Sequence, residues 1–202
     1  MYLPKLREIK EALVSLFTKP FTTKYPRGEY QPHEHYRGFP EYKEEDCIGC
    51  GACAEVCPAH AISFTDDHEN NVRIMEVNYF YCFNCGQCEE RCTTETGIQL
   101  QSDLYSFASS VKGEETQFNR IEKELVYCEN CGATIACRDH LLFVKEQLGA
   151  KAYAHPNLML ETQKNFTRIG PSKFKDKIRR EDYIKEVCPN CRHRIVTEDE
   201  FK

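Results

Sequence analysis

Hydrophobic positions along the chain fall into a few distinct regimes. Leu6, Ile9, Leu13, Leu16 and Phe17 recur at helical spacing with Lys and Glu between them, which predicts an amphipathic helix over 3–17. Pro20 and Pro26 stop that helix. From 21 to 43, Pro26, Pro32, Pro40, Gly28, Gly38 and many aromatics predict an extended strap. Apolar starts at Ile62-Ser63-Phe64 and Ile98-Gln99-Leu100 predict strands, as does the partly alternating run Val72–Val77. Asp66–Asn71, all polar, predicts a hairpin turn before that run. Residues 101–127 read as a polar link. Beyond it, Leu141, Leu142, Val144 and Leu148 mark one side of a helix, with Asp139 as its cap and Gly149 as its end.

The strand signals sit inside an internal repeat. The run from Cys47 to Cys57 matches that from Cys82 to Cys92 at an offset of 35 residues. Two copies of strand, Cys loop, short helix and strand predict an α+β unit with a pseudo-two-fold axis.

Composition sharpens this picture at one point. Thirteen of the 202 residues are Cys, while Trp is absent. Met1-Tyr2-Leu3-Pro4-Lys5 opens no charged-then-apolar leader, and no run approaches the ~18 apolar residues of a membrane span. The expectation is a cytoplasmic chain whose thiols stay reduced and whose clustered Cys hold metal. A net charge of −5 speaks against a nucleic-acid partner. The charge is uneven: residues 1–27 hold six basic side chains against two acidic ones, and residues 41–71 hold eight acidic against one basic.

Each half of the repeat reads C-x-x-C-x-x-C-x-x-x-C, the run of two-cluster bacterial ferredoxins. Three Cys two residues apart fit one tight loop, so that each thiolate reaches a different iron of one cube. Gly49, Gly51 and Gly86 let the backbone fold closely there. The fourth Cys lies one helical turn beyond the third, which carries its sulfur towards the other cube. The expected ligand sets are therefore crossed: Cys47, Cys50, Cys53 and Cys92 for the first [4Fe–4S] cluster, and Cys82, Cys85, Cys88 and Cys57 for the second. Zinc or free thiols are the alternatives for these eight. Pro58 follows Cys57 as the run expects, whereas Thr93 stands where a second Pro belongs. His60 reads as a surface or packing residue, since both cubes already have their ligands. His33 and His35 show no spacing that compels a metal site.

Two further pairs, Cys128-x-x-Cys131 and Cys188-x-x-Cys191, resemble zinc knuckles that together offer a tetrahedral cage of four thiolates. The 56 residues between the pairs are a long insertion for such a site. The added loop-closure cost is only about 1 kcal/mol, set against roughly 10–16 kcal/mol for zinc binding. Structural zinc is the expectation, with mononuclear iron or no metal as alternatives. Cys137 reads as a small buried residue rather than a ligand.

Thr23-Lys24-Tyr25-Pro26, Tyr36-Arg37-Gly38 and Cys47-Ile48-Gly49-Cys50, in that order, resemble the two-cluster ferredoxin subunit of respiratory complex I and its hydrogenase relatives, over residues 1–105. The flanking Cys pairs are similar to the tail of the matching subunit in formate hydrogenlyase-type, membrane-bound [NiFe] hydrogenases. The resemblance implies a peripheral subunit on the cytoplasmic face of a membrane complex. It would relay electrons between a low-potential donor, such as ferredoxin or a formate-oxidising partner, and the subunit with the terminal active site. The sequence itself offers no nucleotide loop, no flavin or nickel motif and no catalytic triad spacing, so no chemistry on a substrate is expected within the chain. Competing readings are an iron–sulfur subunit of another anaerobic oxidoreductase, a free ferredoxin with added domains, or a nucleic-acid-binding or sensory module.

The expected organisation is a helix and partner-binding strap at 1–43, a ferredoxin domain at 44–105, a linker at 106–127 and a zinc-ribbon-like domain at 128–202. The polar link predicts that the two Cys-rich units fold semi-independently.

Overall fold

The structure, a computed structural model, describes residues 5–19, 33–102, 118–164 and 180–198. It divides into two units, residues 1–36 and 37–202.

In the first unit, helix α1 spans Leu6–Phe17. The Glu8 carboxylate accepts from the Lys5 N–H at 3.0 Å and closes the first turn, while the Thr18 hydroxyl donates to the Val14 carbonyl at 3.0 Å and closes the last. The five apolar residues of its stripe are exposed. The strap between 20 and 32 lies outside the described residues.

The second unit is a mixed helix and sheet domain. Strand β1 (Phe39–Tyr42) pairs antiparallel with β4 (Ile98–Gln101), from Phe39 opposite Gln101 to Tyr42 opposite Ile98. A second sheet runs in the order β2 (Ile62–Asp67), β3 (Val72–Asn78), β5 (Phe118–Tyr127), β6 (Thr134–Cys137), all antiparallel. Single turns of helix, α2 (Ala52–Glu55) and α3 (Gln87–Glu90), follow the two Cys loops. Phe39, Tyr42, Ile62, Met75, Val77, Tyr79, Ile98 and Ile121 form one core with Cys53 and Cys88, and further cysteines of both repeats pack against it. After β6 come α4 (Arg138–Leu148), a 3-10 turn (Gly149–Ala154), α5 (Pro156–Lys164), another 3-10 turn (Arg180–Ile184) and α6 (Pro189–Thr197).

Three details differ from the sequence expectation. Residues 118–127, inside the stretch read as a linker, form the longest strand among the described residues and pair with β3 from Val72 opposite Glu124 to Asn78 opposite Phe118. The strand hid because its inward positions are Ile121, Lys123 and Leu125, so a buried Lys breaks the apolar alternation. Arg37–Lys43, read as the end of the strap, lies in the second unit. There β1 contributes Phe39 and Tyr42 to the core. Finally, Cys137 and not Asp139 is the N-cap of α4. Asp139 instead accepts from Lys123 Nζ at 3.1 Å.

Candidate metal centres

The eight cysteines of the repeat gather at two openings. Cys47, Cys50, Cys53 and Cys92 line one, with Tyr42, Thr93 and Thr94 on its wall. Cys57, Cys82, Cys85 and Cys88 line the other. Residues far apart in sequence thus meet. Cys92 joins the first loop and Cys57 the second, each lying just beyond a one-turn helix. The two loops use left-handed backbone at matching positions. Gly49 has φ 66°, and its counterpart Asn84 has φ 60°. Asn is among the few side-chain-bearing residues that enter this region at modest cost. An added Cβ at Gly49 would lie 2.6 Å from Cys137 Sγ, whereas at Gly86 the nearest atom is 3.5 Å away.

Four thiols lining each apolar opening fit a [4Fe–4S] cube as a donor set. Burial pushes Cys53 up to about 11 and Cys88 up to about 12. As free thiols they would stay protonated at neutral pH, so loading a metal centre must displace these protons. Hydroxyls stand on three sulfurs of the first set. Thr93 Oγ1 lies 3.3 Å from Cys50 Sγ, Thr94 Oγ1 3.5 Å from Cys92 Sγ, and Tyr42 Oη 3.6 Å from Cys53 Sγ. A half-buried and a buried cation flank the same loop. Arg73 Nη1 donates to the Gly49 carbonyl at 3.0 Å, and Lys123 Nζ donates to the Glu44 carbonyl. Of these five residues the cysteine run marks only Thr93, which stands in place of a Pro.

The remaining pairs also meet. The sulfurs of Cys128, Cys131, Cys188 and Cys191 all lie within 4.8 Å of one another, a group that can hold a metal ion. Cys128 and Cys131 sit on the turn between β5 and β6. There the Gly132 N–H donates to the Cys128 carbonyl at 2.9 Å, and Gly132 adopts φ 71°. Cys188 and Cys191 occupy the first turn of α6, where Cys188 Sγ accepts from the Cys191 N–H at 3.4 Å. Here a helix start takes the place of the second hairpin of a ribbon. Backbone crosslinks hold the turns together: the Glu129 N–H donates to the Glu186 carbonyl at 2.8 Å, and the Glu186 N–H to the Glu129 carboxylate at 3.3 Å. Asn130 Nδ2 donates to Cys191 Sγ at 3.0 Å. Val187 and Ile195 pack beside three of the four sulfurs. Cys137 stands apart from both groups. It is fully buried, its Sγ donates to the Gly49 carbonyl at 3.3 Å, and burial pushes its thiol up to about 11. His60 is exposed, with φ 49°. His33, Glu34 and His35 form an exposed group in the first unit.

Residues 46–96 match the 4Fe-4S dicluster domain family. NADH-quinone oxidoreductase subunit I 2 of Geobacter metallireducens is 31% identical over 103 residues, which are 47% of this chain and 79% of that subunit. The chain belongs to the subunit I family of NADH-quinone oxidoreductases. It is an iron–sulfur electron-transfer subunit, and it also resembles formate hydrogenlyase subunit 6 of Escherichia coli, at 33% identity over 57 residues. That second match covers 28% of this chain and 32% of the relative. A chain of the membrane-bound sulfane sulfur reductase, an archaeal respiratory membrane complex, aligns over 58% of this subunit and 61% of its own length, at 26% identity and a TM-score of 0.34. Among the described residues, no helix of the subunit is long and apolar enough to cross a membrane.

Proposed function

We propose that this subunit relays electrons through two [4Fe–4S] clusters inside a complex I-like, membrane-bound hydrogenase or a related respiratory oxidoreductase. The observation that carries the reading is the sorting of eight thiols into two four-sulfur cavities, each completed by a Cys from the other half of the repeat. Cys47, Cys50, Cys53 and Cys92 hold the first cluster; Cys82, Cys85, Cys88 and Cys57 hold the second. When bound, each cube takes up and gives back one electron with no bond made or broken in a substrate. The chain's own residues fix the two sites side by side and shield them with the shared core. The four-cysteine site holds structural zinc, a reading supported by four sulfurs within 4.8 Å of one another on a turn and a helix start. Residues 1–36 seat the subunit against its partners on the cytoplasmic face of the membrane. A twelve-residue helix is marginal alone in water and takes its stability from a docked apolar face. The redox partners are a donor such as ferredoxin or a formate-oxidising subunit and a hydrogenase-like catalytic subunit.

Metal analysis of the anaerobically purified chain tests this reading. It should give iron and sulfide for two cubes and one equivalent of zinc. Cys57→Ser should disturb the centre held by Cys82, Cys85 and Cys88. Disturbance confined to the centre on Cys47, Cys50 and Cys53 would overturn the ligand sets, and a third iron centre without zinc would overturn the zinc assignment. Deleting residues 1–36 and co-expressing the subunit with its partners should keep the iron and lose the complex.

A further inference from the structure

The internal repeat permits a comparison that the ligand spacing does not. Shifted by 35 residues, Tyr42 corresponds to Val77, which holds the same place ahead of the second Cys loop. Thr93 and Thr94, which follow Cys92, correspond to Pro58 and Ala59, which follow Cys57. All three hydroxyls therefore fall on one side of the pseudo-symmetry, and each aligns with a residue that has none. Tyr79, near the second loop, spends its hydroxyl on the Pro40 carbonyl at 3.1 Å. Among the described contacts, the second set of sulfurs receives backbone donors, such as the Ala61 N–H to Cys57 Sγ at 3.3 Å.

The charges do not divide in this way. Arg73 and Lys123 hold the loop of the first set, but each is paired with a carboxylate, Asp66 at 2.7 Å and Asp139 at 3.1 Å. The loop of the second set is met by Arg37, which donates to the Cys85 carbonyl at 3.0 Å, beside Glu89 and Glu90. Solvent exposure does not separate the two sets: in each, one cysteine is buried and three are half-buried.

Reduction adds one negative charge to a cube. Hydroxyl donors on the ligating sulfurs stabilise that charge and raise the potential. We infer that the two centres are unequal: the one on Cys47, Cys50, Cys53 and Cys92 has the higher reduction potential, and Tyr42, Thr93 and Thr94 are the positioning residues that set the difference. A single electron given to the subunit therefore rests on the first centre, and the second is the donor of the pair. Once a ligating sulfur is bound to iron it carries no proton, so each of these hydrogen bonds has the hydroxyl as its donor.

The inference rests on the ligand sets proposed above. Its test is a potentiometric titration of the full, reconstituted chain, followed by electron paramagnetic resonance. Cys50→Ser identifies which signal belongs to the first centre. Thr93→Val keeps the shape and removes the hydroxyl. It should lower the midpoint of that centre and leave the other in place, and Thr93→Ser should keep the wild-type value. Adding Tyr42→Phe should lower the same midpoint further. A shift of the other centre, equal shifts of both, or no shift would overturn the inference. If two cubane signals never form, the proposed function fails instead. Thr94 is left unchanged in this series because its Oγ1 also accepts from the Gly97 N–H at 3.0 Å.

Discussion

Cys137 Sγ donates to the carbonyl oxygen of Gly49 across 3.3 Å, tying the end of β6 to the first Cys loop. The same oxygen accepts from Arg73 Nη1 at 3.0 Å. One carbonyl of a metal-binding loop is thus held by two strands of the neighbouring sheet. Because Cys137 is bound to protein on all sides and belongs to neither sulfur group, Cys137→Ala should leave iron, sulfide and zinc content unchanged. It removes one hydrogen bond and leaves a small void, so stability should fall by about 1–2 kcal/mol. Metal analysis alongside denaturant unfolding checks both halves of this expectation, and loss of iron would make Cys137 a ligand.

Three glycines with left-handed backbone should respond in graded fashion to Ala. Gly86→Ala, with no atom nearer than 3.5 Å, meets the conformational cost alone, about 1–2 kcal/mol. Gly49→Ala adds a clash with Cys137 Sγ at 2.6 Å. Gly38→Ala drives a Cβ to 1.6 Å from the Gln101 carbonyl oxygen and cannot keep the β1–β4 pairing. Cluster content after anaerobic reconstitution should fall in that order. In Gly49→Ala/Cys137→Ala the side-chain clash is relieved, so part of the loss should return.

The Cys repeat was legible because its information is local: spacing along the chain determines which sulfurs share a loop. The hairpin and its strands were legible for the same reason, although the turn is shorter than expected: Asp66 and Asp67 belong to β2, and Asp67 closes the turn at 68–71 on the N–H groups of Glu69 and Asn70. Strand β5 was not. Its inward Lys123 is acceptable because it finds the Glu44 carbonyl and the Asp139 carboxylate, partners 79 and 16 residues away. Nor does spacing reveal that Thr93 reaches Cys50, 43 residues distant, although the missing Pro marked the position as unusual. Polar residues whose partners are remote look like surface residues in a one-dimensional pattern.

Asp66 and Arg73 form a two-pronged pair, at 2.7 Å from Nε and 3.0 Å from Nη2. The Arg73 guanidinium holds the Asp66 carboxyl below the usual carboxylate range, and burial opposes it. A carboxylate with a depressed folded-state pKa contributes stability that is complete above its unfolded value of about 3.9 and is lost as pH falls through the lower, folded value. At neutral pH the contribution is therefore intact. Asp66→Asn should cost about 1.5–3 kcal/mol, by analogy with other charge-assisted hydrogen bonds. Denaturant unfolding at pH 7 and pH 9 should give the same difference from wild type. A difference that disappears on going from pH 7 to pH 9 would mean that another group carries it.

The most direct consequence of β5 concerns the boundary at residue 105. If the ferredoxin half were self-contained, a chain ending there would keep all eight cysteines and lose nothing that the clusters need. The sheet argues otherwise. β3 lies between β2 and β5, so the shorter chain leaves it as an edge strand with unpaired backbone groups. It also removes Ile121 from the core that contains Met75 and Val77, a loss of about 1.5–3 kcal/mol in burial alone. The effect should be uneven. Lys123 holds the Glu44 carbonyl and Cys137 holds the Gly49 carbonyl, and both anchors serve the loop that carries Cys47 and Cys50. The loop of Cys82, Cys85 and Cys88 is instead held from the retained segment, where Arg37 donates to the Cys85 carbonyl and Asn84 Nδ2 to that of Gly38. A chain of residues 1–105 should therefore take up both clusters and then lose the first faster than the second, and faster than the full chain loses either. Bleaching of the two signals under a chelator, followed by electron paramagnetic resonance, measures this. Equal lifetimes in the short and full chains would show that the ferredoxin half stands alone and that β5 is an accessory strand.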